Sequence, residues 1–369
     1  MSTEYTSEQL DFHNQFLNFG GLYPYAEGIG NGSMYAATRK GFYNRLDVYN
    51  SALGRTLVTP SYDFIANGVL NAVARTVSAT HYIGVNAGTM ILLNDLFLRM
   101  MSSPVVLPHI GDAGKEIGAE KVYNPQQTDM GIYDLVKPHG EVLLPVNPSR
   151  QLHAAMLGRT AFNFLGDHEL AHIIYGHTRF CRSSYGMSAL EEAQAVSPNA
   201  LDLQTLEMDA DCFAAERAVM DIKIFNENPS WISDARRGFY CDWKSGVFNW
   251  MFAVYSLFRL FGFRCYSASE LLSYTHPPIG TRIRMMAWRV GELVSDKFSA
   301  DEFFGMHHDA IEAVERAFNE ISETSLNRNA IDFAYSDEAS EHMHVIWENW
   351  RGIRPRLEPY SVGVLAPAR

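Results

Sequence analysis

The hydrophobic positions in the second half of the chain recur with the spacing of an α-helix. This spacing predicts helices over residues 151–182, 201–222, 247–261 and 280–294, followed by two charged amphipathic helices over about 301–323 and 337–350. Turn residues separate these segments, as at His276-Pro277-Pro278, where proline cannot continue a helix. The second half of the chain is therefore predicted to be largely helical.

The first half has a less regular pattern, in which glycine, asparagine and proline interrupt the apolar positions. The pattern predicts loops over residues 1–62, a helix over 63–75, a strand over Thr80–Asn86, a helix over 90–101 and an irregular insertion over 103–150 with a short strand at 141–144. Together, the elements of both halves favour an α+β fold that is mostly α, with one small sheet.

The chain is predicted to form a single domain over residues 1–369, because no repeat, low-complexity tract or obvious linker divides it. Within it we distinguish a loop-rich and helical N-terminal region at 1–78 and a core at 79–294, which contains the insertion. A C-terminal helical region follows at 295–369.

Composition narrows the classes of function. A formal net charge of −12 gives no electrostatic footprint for a phosphate backbone, so nucleic acid is not expected as a partner. The most apolar stretch, at 246–258, is shorter than the about 20 residues that span a bilayer, so no transmembrane segment is predicted. Four cysteines without a C-x-x-C pair, and a start without a secretory leader, predict a cytoplasmic protein. The oligomeric state is not predicted.

The candidate chemistry begins with the motif His168-Glu169-Leu170-Ala171-His172. Residues four apart on a helix lie on one face, so both imidazoles can reach one metal ion, while Glu169 can act on a water that the metal activates. Such a motif arises by chance in roughly one chain of this length in a hundred, so it does not suffice alone. The alternative is a pair of core histidines that bond to other partners.

A catalytic zinc ion also needs a third protein ligand. One known pattern places a histidine six residues after the second, but Thr178 occupies that position. His177 lies one residue short and, on a continuous helix, about 140° round the axis from His172, which favours a supporting or structural role. The remaining choice is an acidic residue on a later helix.

The segment Leu206-Glu207-Met208-Asp209-Ala210-Asp211 supplies such a residue. Glu207 and Asp211 are four apart and share a helix face, so Glu207 can bind the metal and Asp211 can accept the free ring N–H of a ligand histidine. Asp209 lies off that face and is predicted to be solvated or to pair with another helix. The alternative is an acidic surface helix, although the neighbouring residues are largely apolar.

These two blocks resemble the gluzincin pattern of the HtpX and CAAX prenyl protease family, in which H-E-x-x-H-x-x-x-x-H precedes E-x-x-x-D. A third block, at His276 to Arg282, is similar to the H-P-x-x-x-x-R block of that family, although a plain turn before a helix would also explain it. The resemblance implies a zincin-like fold in which His168, His172 and Glu207 hold one Zn²⁺ per chain. It further implies Glu169 as general base, with His276 and Arg282 near the substrate carbonyl.

The resemblance also implies a strand before the metal helix whose edge aligns a peptide substrate by β-augmentation. The residues that match it are Tyr82, Ile83, Gly84 and Val85, for which an ordinary core strand is the alternative. The chain lacks the transmembrane helices of the best-known members of the family. The H-E-x-x-H region is also similar to that of the phage-exclusion peptidase Lit, which implies, as an alternative for this chain, an intracellular protease with a narrow protein target.

The sequence thus predicts a zinc-dependent endopeptidase that acts on a protein or peptide, with Glu169 as general base. Two rival interpretations are a catalytically silent binding or regulatory protein with the same fold and metal, and a structural protein in which the motif is accidental. The other histidine pairs, His307-His308 and His342-Met343-His344, lie on predicted polar helices and are expected at the surface.

Overall fold

The computed structural model describes residues 5–25, 31–54, 57–118, 121, 143–191, 196–231, 238–261, 270–322 and 328–367. Its helices are α1 (Ser7–Gln15), α2 (Asn31–Leu53), α3 (Ala87–Met101), α4 (Pro148–Ile174), α5 (His177–Tyr185), α6 (Ala200–Glu227), α7 (Trp243–Leu260), α8 (Ile279–Leu293), α9 (Ala300–Ile321), α10 (Asn329–Ala334) and α11 (Asp337–Leu357). Its strands are β1 (Ser61–Ile65), β2 (Ala72–Val77), β3 (Thr80–Asn86) and β4 (Leu190–Glu191). The predicted α+β class, mostly α with one small sheet, is confirmed.

The sheet is mixed and has the strand order β1-β3-β2-β4. Strand β3 pairs in parallel with β1 and antiparallel with β2, and the short β4 pairs antiparallel with β2. The helix predicted over 63–75 is therefore wrong, because these residues form parts of β1 and β2. Both strands are buried on both faces, so they lack the alternation of polar and apolar residues that identifies a half-exposed strand.

The N-terminal region is more helical than predicted. Helix α1 begins with a capping box, in which Thr6 and Gln9 bond each other's backbone N–H groups. Helix α2 buries Tyr35, Phe42 and Leu46 at helical spacing, and these side chains pack into the main core. The prediction of loops over 1–62 is wrong because tertiary packing outweighs the weak helix propensity of the glycine, asparagine and tyrosine in this region.

A buried arginine organises the described start of the predicted insertion. The Arg150 guanidinium donates to five backbone carbonyls, those of Met101, Ser103, Val106, Leu107 and Ile110. These bonds satisfy the backbone of an irregular segment without a sheet or helix. Of the strand predicted at 141–144, residues 141–142 lie outside the described residues and 143–144 form no strand.

Helix α4 is the central element of the core. It begins at Pro148, where the Asn147 side chain accepts from two backbone N–H groups, and it packs against α3, α6 and α7. Within the described residues, no helix is long and apolar enough to cross a membrane. The fold therefore surrounds the second half of α4, which carries the histidine motif, with packed helices.

Candidate metal centre

Helices α4 and α6 bring two histidines and one glutamate to a common point. The Nε2 atoms of His168 and His172 lie 3.0 Å apart. Glu207 approaches both rings, with Oε2 3.1 Å from His168 Nε2 and Oε1 3.4 Å from His172 Nε2. All three side chains are buried, and this group could hold a metal ion.

The spacing of the three side chains, with a different Glu207 oxygen nearest each histidine, is compatible with a bound zinc ion. Zn–N and Zn–O bonds are about 2.0–2.1 Å long in proteins, so two donors of a tetrahedral ion lie about 3.3 Å apart. The separations of 3.0, 3.1 and 3.4 Å among these residues are close to that value. Two imidazoles and one carboxylate also match the donor set of catalytic zinc sites that leave one position open.

An acidic side chain and an arginine lie behind the first histidine. Asp211 Oδ1 is 3.0 Å from His168 Nδ1, as the sequence predicted for a carboxylate that orients a ligand ring. Arg282, on α8, holds that carboxylate with two hydrogen bonds of 2.7 and 2.8 Å. Its guanidinium also lies over the ring of Phe258. Arg282 thus supports Asp211, and its place beside a substrate carbonyl stays a prediction.

A second line of side chains lies behind the other histidine. His172 Nδ1 is 3.0 Å from His177 Nδ1, and His177 Nε2 is 3.2 Å from Asp209 Oδ2. Gly176 makes this contact possible, because its left-handed backbone (φ 78°) ends α4 and lets α5 start in a new direction. His177 was expected to point away from His172 on a continuous helix, but the helix ends at Gly176 and the two rings are in contact. Asp209 was predicted to be solvated or to pair with another helix, and the second alternative is the one observed, since its buried side chain contacts His177 on α5.

Burial and charge set the ionisation of these groups. Burial lowers the pKa of His177 to about 3 and raises the pKa of Asp209 to about 8. Burial would also raise the pKa of Glu207, but the three histidines around it outweigh burial and hold that pKa well below its usual range. Glu207 is therefore a carboxylate, ready to meet a cation.

Two further predicted residues are buried, and one of them, His276, lies close to a donor side chain. Glu169 follows His168 on α4, and its side chain is buried. His276 precedes α8, with Nε2 3.2 Å from Glu207 Oε2 and Nδ1 2.9 Å from the Thr275 hydroxyl. The structure thus brings all three sequence blocks together at one buried point.

The prediction that residues Tyr82 to Val85 offer a free strand edge to a substrate is contradicted by the strand order. Residues Tyr82, Ile83, Gly84 and Val85 lie on β3, which has β1 on one side and β2 on the other. The backbone N–H and C=O groups of β3 are used by these neighbours, so no peptide can add to it. In the described part of the sheet the outer strands are β1 and β4.

Two histidines that were expected at the surface are buried. His307 and His342 are each 4% exposed, whereas His308 and His344 are exposed as predicted. Helices α9 and α11 are amphipathic, and the two buried rings occupy their inward faces. Residue type alone suggested a polar surface. The apolar Met306 and Met343, which lie next to these histidines and are buried, mark the inward face of each helix.

Comparison of the chain with protein-family models, with curated proteins and with solved structures gave no match.

Proposed function

We propose that this chain is a zinc-dependent endopeptidase of the glutamate type, in which His168, His172 and Glu207 hold the metal ion. The convergence of these three buried donors from two packed helices carries the proposal. The order of the sequence blocks supports the same interpretation, as it resembles the HtpX-like gluzincins with their zincin-like fold. The contacts behind the two imidazoles also support it, because ligand histidines usually donate their second ring N–H to such a partner: Asp211 lies behind His168, and His177 lies behind His172.

The residues around the donors can divide the work of peptide hydrolysis. A bound zinc ion would lower the pKa of a water molecule towards about 7 and polarise a carbonyl oxygen. Glu169 accepts the proton of the attacking water and passes it to the leaving amine nitrogen. His276 donates from Nε2 to the substrate oxygen on which negative charge develops. Asp211 and the His177–Asp209 pair hold the two imidazoles in the tautomer that leaves Nε2 as the donor atom.

The test compares the wild type with Glu169→Gln. The substitution keeps the shape of the side chain but removes its basicity, so zinc should stay bound in a 1:1 ratio while cleavage falls by about 100-fold to 10,000-fold. Cleavage is measured by labelling new protein termini in a lysate, and zinc by elemental analysis. Glu341→Gln, an exposed change on α11, is the control and should cleave like the wild type.

Two results would contradict the proposal. If Glu169→Gln retains zinc and cleaves like the wild type, the general-base mechanism is wrong. If the wild type binds zinc in a 1:1 ratio and produces no new termini, the chain is a metal-binding protein rather than a peptidase. Cleavage of a single lysate protein would favour a narrow target of the Lit type over general proteolysis.

A further inference from the structure

A buried amide fastens the segment that carries His276 to helix α6. Gln204 lies on α6 one turn before Glu207 and is fully buried. Its Nε2 donates to the carbonyl of Leu271 at 2.6 Å and to that of Tyr274 at 2.8 Å. Both carbonyls belong to the irregular segment 270–276, which ends at His276. One side chain therefore holds this segment at two points, the nearer only two residues before His276.

The opposite end of the same amide meets a histidine from the C-terminal region. His342, on α11, has Nε2 2.7 Å from Gln204 Oε1. Because the amide nitrogen already faces two carbonyls, the oxygen must face His342, and His342 Nε2 must carry the proton. His342 Nδ1 has no hydrogen-bond partner among the described residues, as expected for the unprotonated nitrogen. The chain of bonds thus has a single direction, from α11 through α6 to the segment 270–276.

This chain of bonds ends beside the metal donors. Gln204 and Glu207 are three apart on α6 and so lie on neighbouring positions of one helix face. His276 follows two residues after the Tyr274 carbonyl that Gln204 holds, and its Nε2 lies 3.2 Å from Glu207 Oε2. A shift of the segment relative to α6 would move His276 relative to Glu207, and a displacement of about 1 Å in a catalytic group can cost about 100-fold in rate.

We propose that Gln204 and His342 are positioning residues for His276, so that helix α11 of the C-terminal region is part of the machinery of the site. The inference deepens the proposed peptidase function and rests on it. It assigns a role to two buried polar groups that do not contact the metal donors. It also predicts that activity depends on α11, which carries none of the three sequence blocks of the site.

The first measurement does not need activity. Amide hydrogen exchange is followed in the zinc-loaded protein for the wild type, Gln204→Leu and His342→Leu. Gln204→Leu removes the two bonds to the segment, and His342→Leu removes the bond that orients the Gln204 amide. Each should raise exchange in residues 271–276, by about tenfold for Gln204→Leu, with α4 and α6 unchanged and zinc still bound in a 1:1 ratio.

His342→Gln is the conservative variant, because its amide nitrogen can replace His342 Nε2. It should exchange like the wild type, and it covers the case in which the leucine variants fail to fold.

A matched control separates this effect from a general loosening of α11. Asn349 also joins α11 to α6, but its amide donates to Leu201, Asp202 and Thr205 and not to the segment 270–276. Asn349→Leu should leave exchange in 271–276 and turnover at the wild-type level.

The second measurement is a double-mutant cycle on peptide hydrolysis. Gln204→Leu should lower kcat by about 10-fold to 100-fold with little change in KM, because His276 acts on charge that develops in the transition state. In a His276→Ala background the same substitution should have almost no further effect, since the residue that it positions is gone. A purely structural role would lower activity equally in both backgrounds.

The outcomes distinguish the inference from the function on which it rests. Unchanged exchange in 271–276 of Gln204→Leu, or equal losses of kcat in both backgrounds, would overturn the positioning role. An increase in exchange for Asn349→Leu as large as that for Gln204→Leu would overturn it too. Raised exchange at 271–276 in a protein whose wild type cleaves nothing supports the positioning of His276 and counts only against the peptidase function.

Discussion

At the residue scale, the two histidines of the candidate centre differ in how they are connected to an acidic side chain. Asp211 lies directly behind His168 and is itself held by Arg282, whereas Asp209 reaches His172 only through His177. Both acidic side chains are on α6, which also carries Glu207. One helix therefore supplies a ligand and the anchors of both imidazoles, so side-chain changes on α6 should affect metal affinity in a graded way.

We expect Asp211→Asn to weaken zinc binding by about 10-fold to 100-fold, the usual effect of removing the carboxylate behind a ligand histidine. Asp209→Asn should weaken it less, because its effect passes through the neutral His177. Competition with a chromophoric chelator measures both affinities. Asp202→Asn, which contacts Tyr185 and Arg356 away from the donors, should bind zinc like the wild type. Equal losses for the two site variants would show that His177 does not attenuate the effect.

At the element scale, the sequence predicted the helices that carry chemistry better than the sheet. The helical period over 201–222 and 280–294 corresponds to α6 and α8 with ends shifted by a few residues. The pairing of Glu207 with Asp211 followed from this period, because residues four apart on a helix must share a face. The central position of β3 in the sheet could not be predicted in the same way, since strand order depends on contacts between residues far apart in the sequence.

The contact between His172 and His177 also depends on a helix boundary at Gly176, inside the single helix predicted over 151–182. A left-handed glycine at 176 rotates His177 towards His172, and the helical pattern continues on both sides of it. The backbone of residues 362–363 then donates to the carbonyl of Ile174 and completes the end of α4. The close approach of the C-terminal segment is a tertiary feature, so a local pattern cannot predict it.

Gly176→Ala should destabilise the protein by at least about 2 kcal/mol, because a Cβ atom there adds left-handed strain and would lie 2.5 Å from the Tyr360 carbonyl group. Gly186→Ala is a matched control, since Gly186 has the same backbone region (φ 70°) with no atom near the added Cβ. It should cost only about 1 kcal/mol. Urea unfolding measures both, and a larger loss for Gly186→Ala would contradict the packing argument.

The irregular segment after α3 gives a second prediction at this scale. Arg150→Lys should lower the free energy of unfolding by about 3–5 kcal/mol, because one ammonium group cannot reach the five carbonyls that the guanidinium satisfies. Arg351→Lys on the exposed face of α11 should change stability by less than about 0.5 kcal/mol. Equal effects in urea unfolding would show that the carbonyl bonds of Arg150 contribute little.

At the scale of the whole molecule, buried neutral histidines tie stability to pH. Burial in the amphipathic C-terminal helices lowers the pKa of His307 and that of His342 to about 4 each. In the unfolded chain a histidine titrates near about 6.5. Between these two values the unfolded state binds more protons, so each ring removes stability as the pH falls from about 6.5 to about 4. The same C-terminal region that holds His276 in place is thus expected to weaken in mild acid.

His307→Gln tests this linkage away from the metal donors. A buried neutral imidazole contributes a slope of up to about 1.4 kcal/mol per pH unit to the free energy of unfolding within that window, and the glutamine variant should lose that slope. Its absolute stability can fall for packing reasons, so the measured quantity is the difference in slope between pH 6 and pH 4.5, determined by urea unfolding with chelator present. His308→Gln, the exposed neighbour, should keep the wild-type slope. An unchanged slope in His307→Gln would mean that His307 takes up its proton in the folded protein, so that the charge of this buried ring finds a partner on α9 or the elements packed against it.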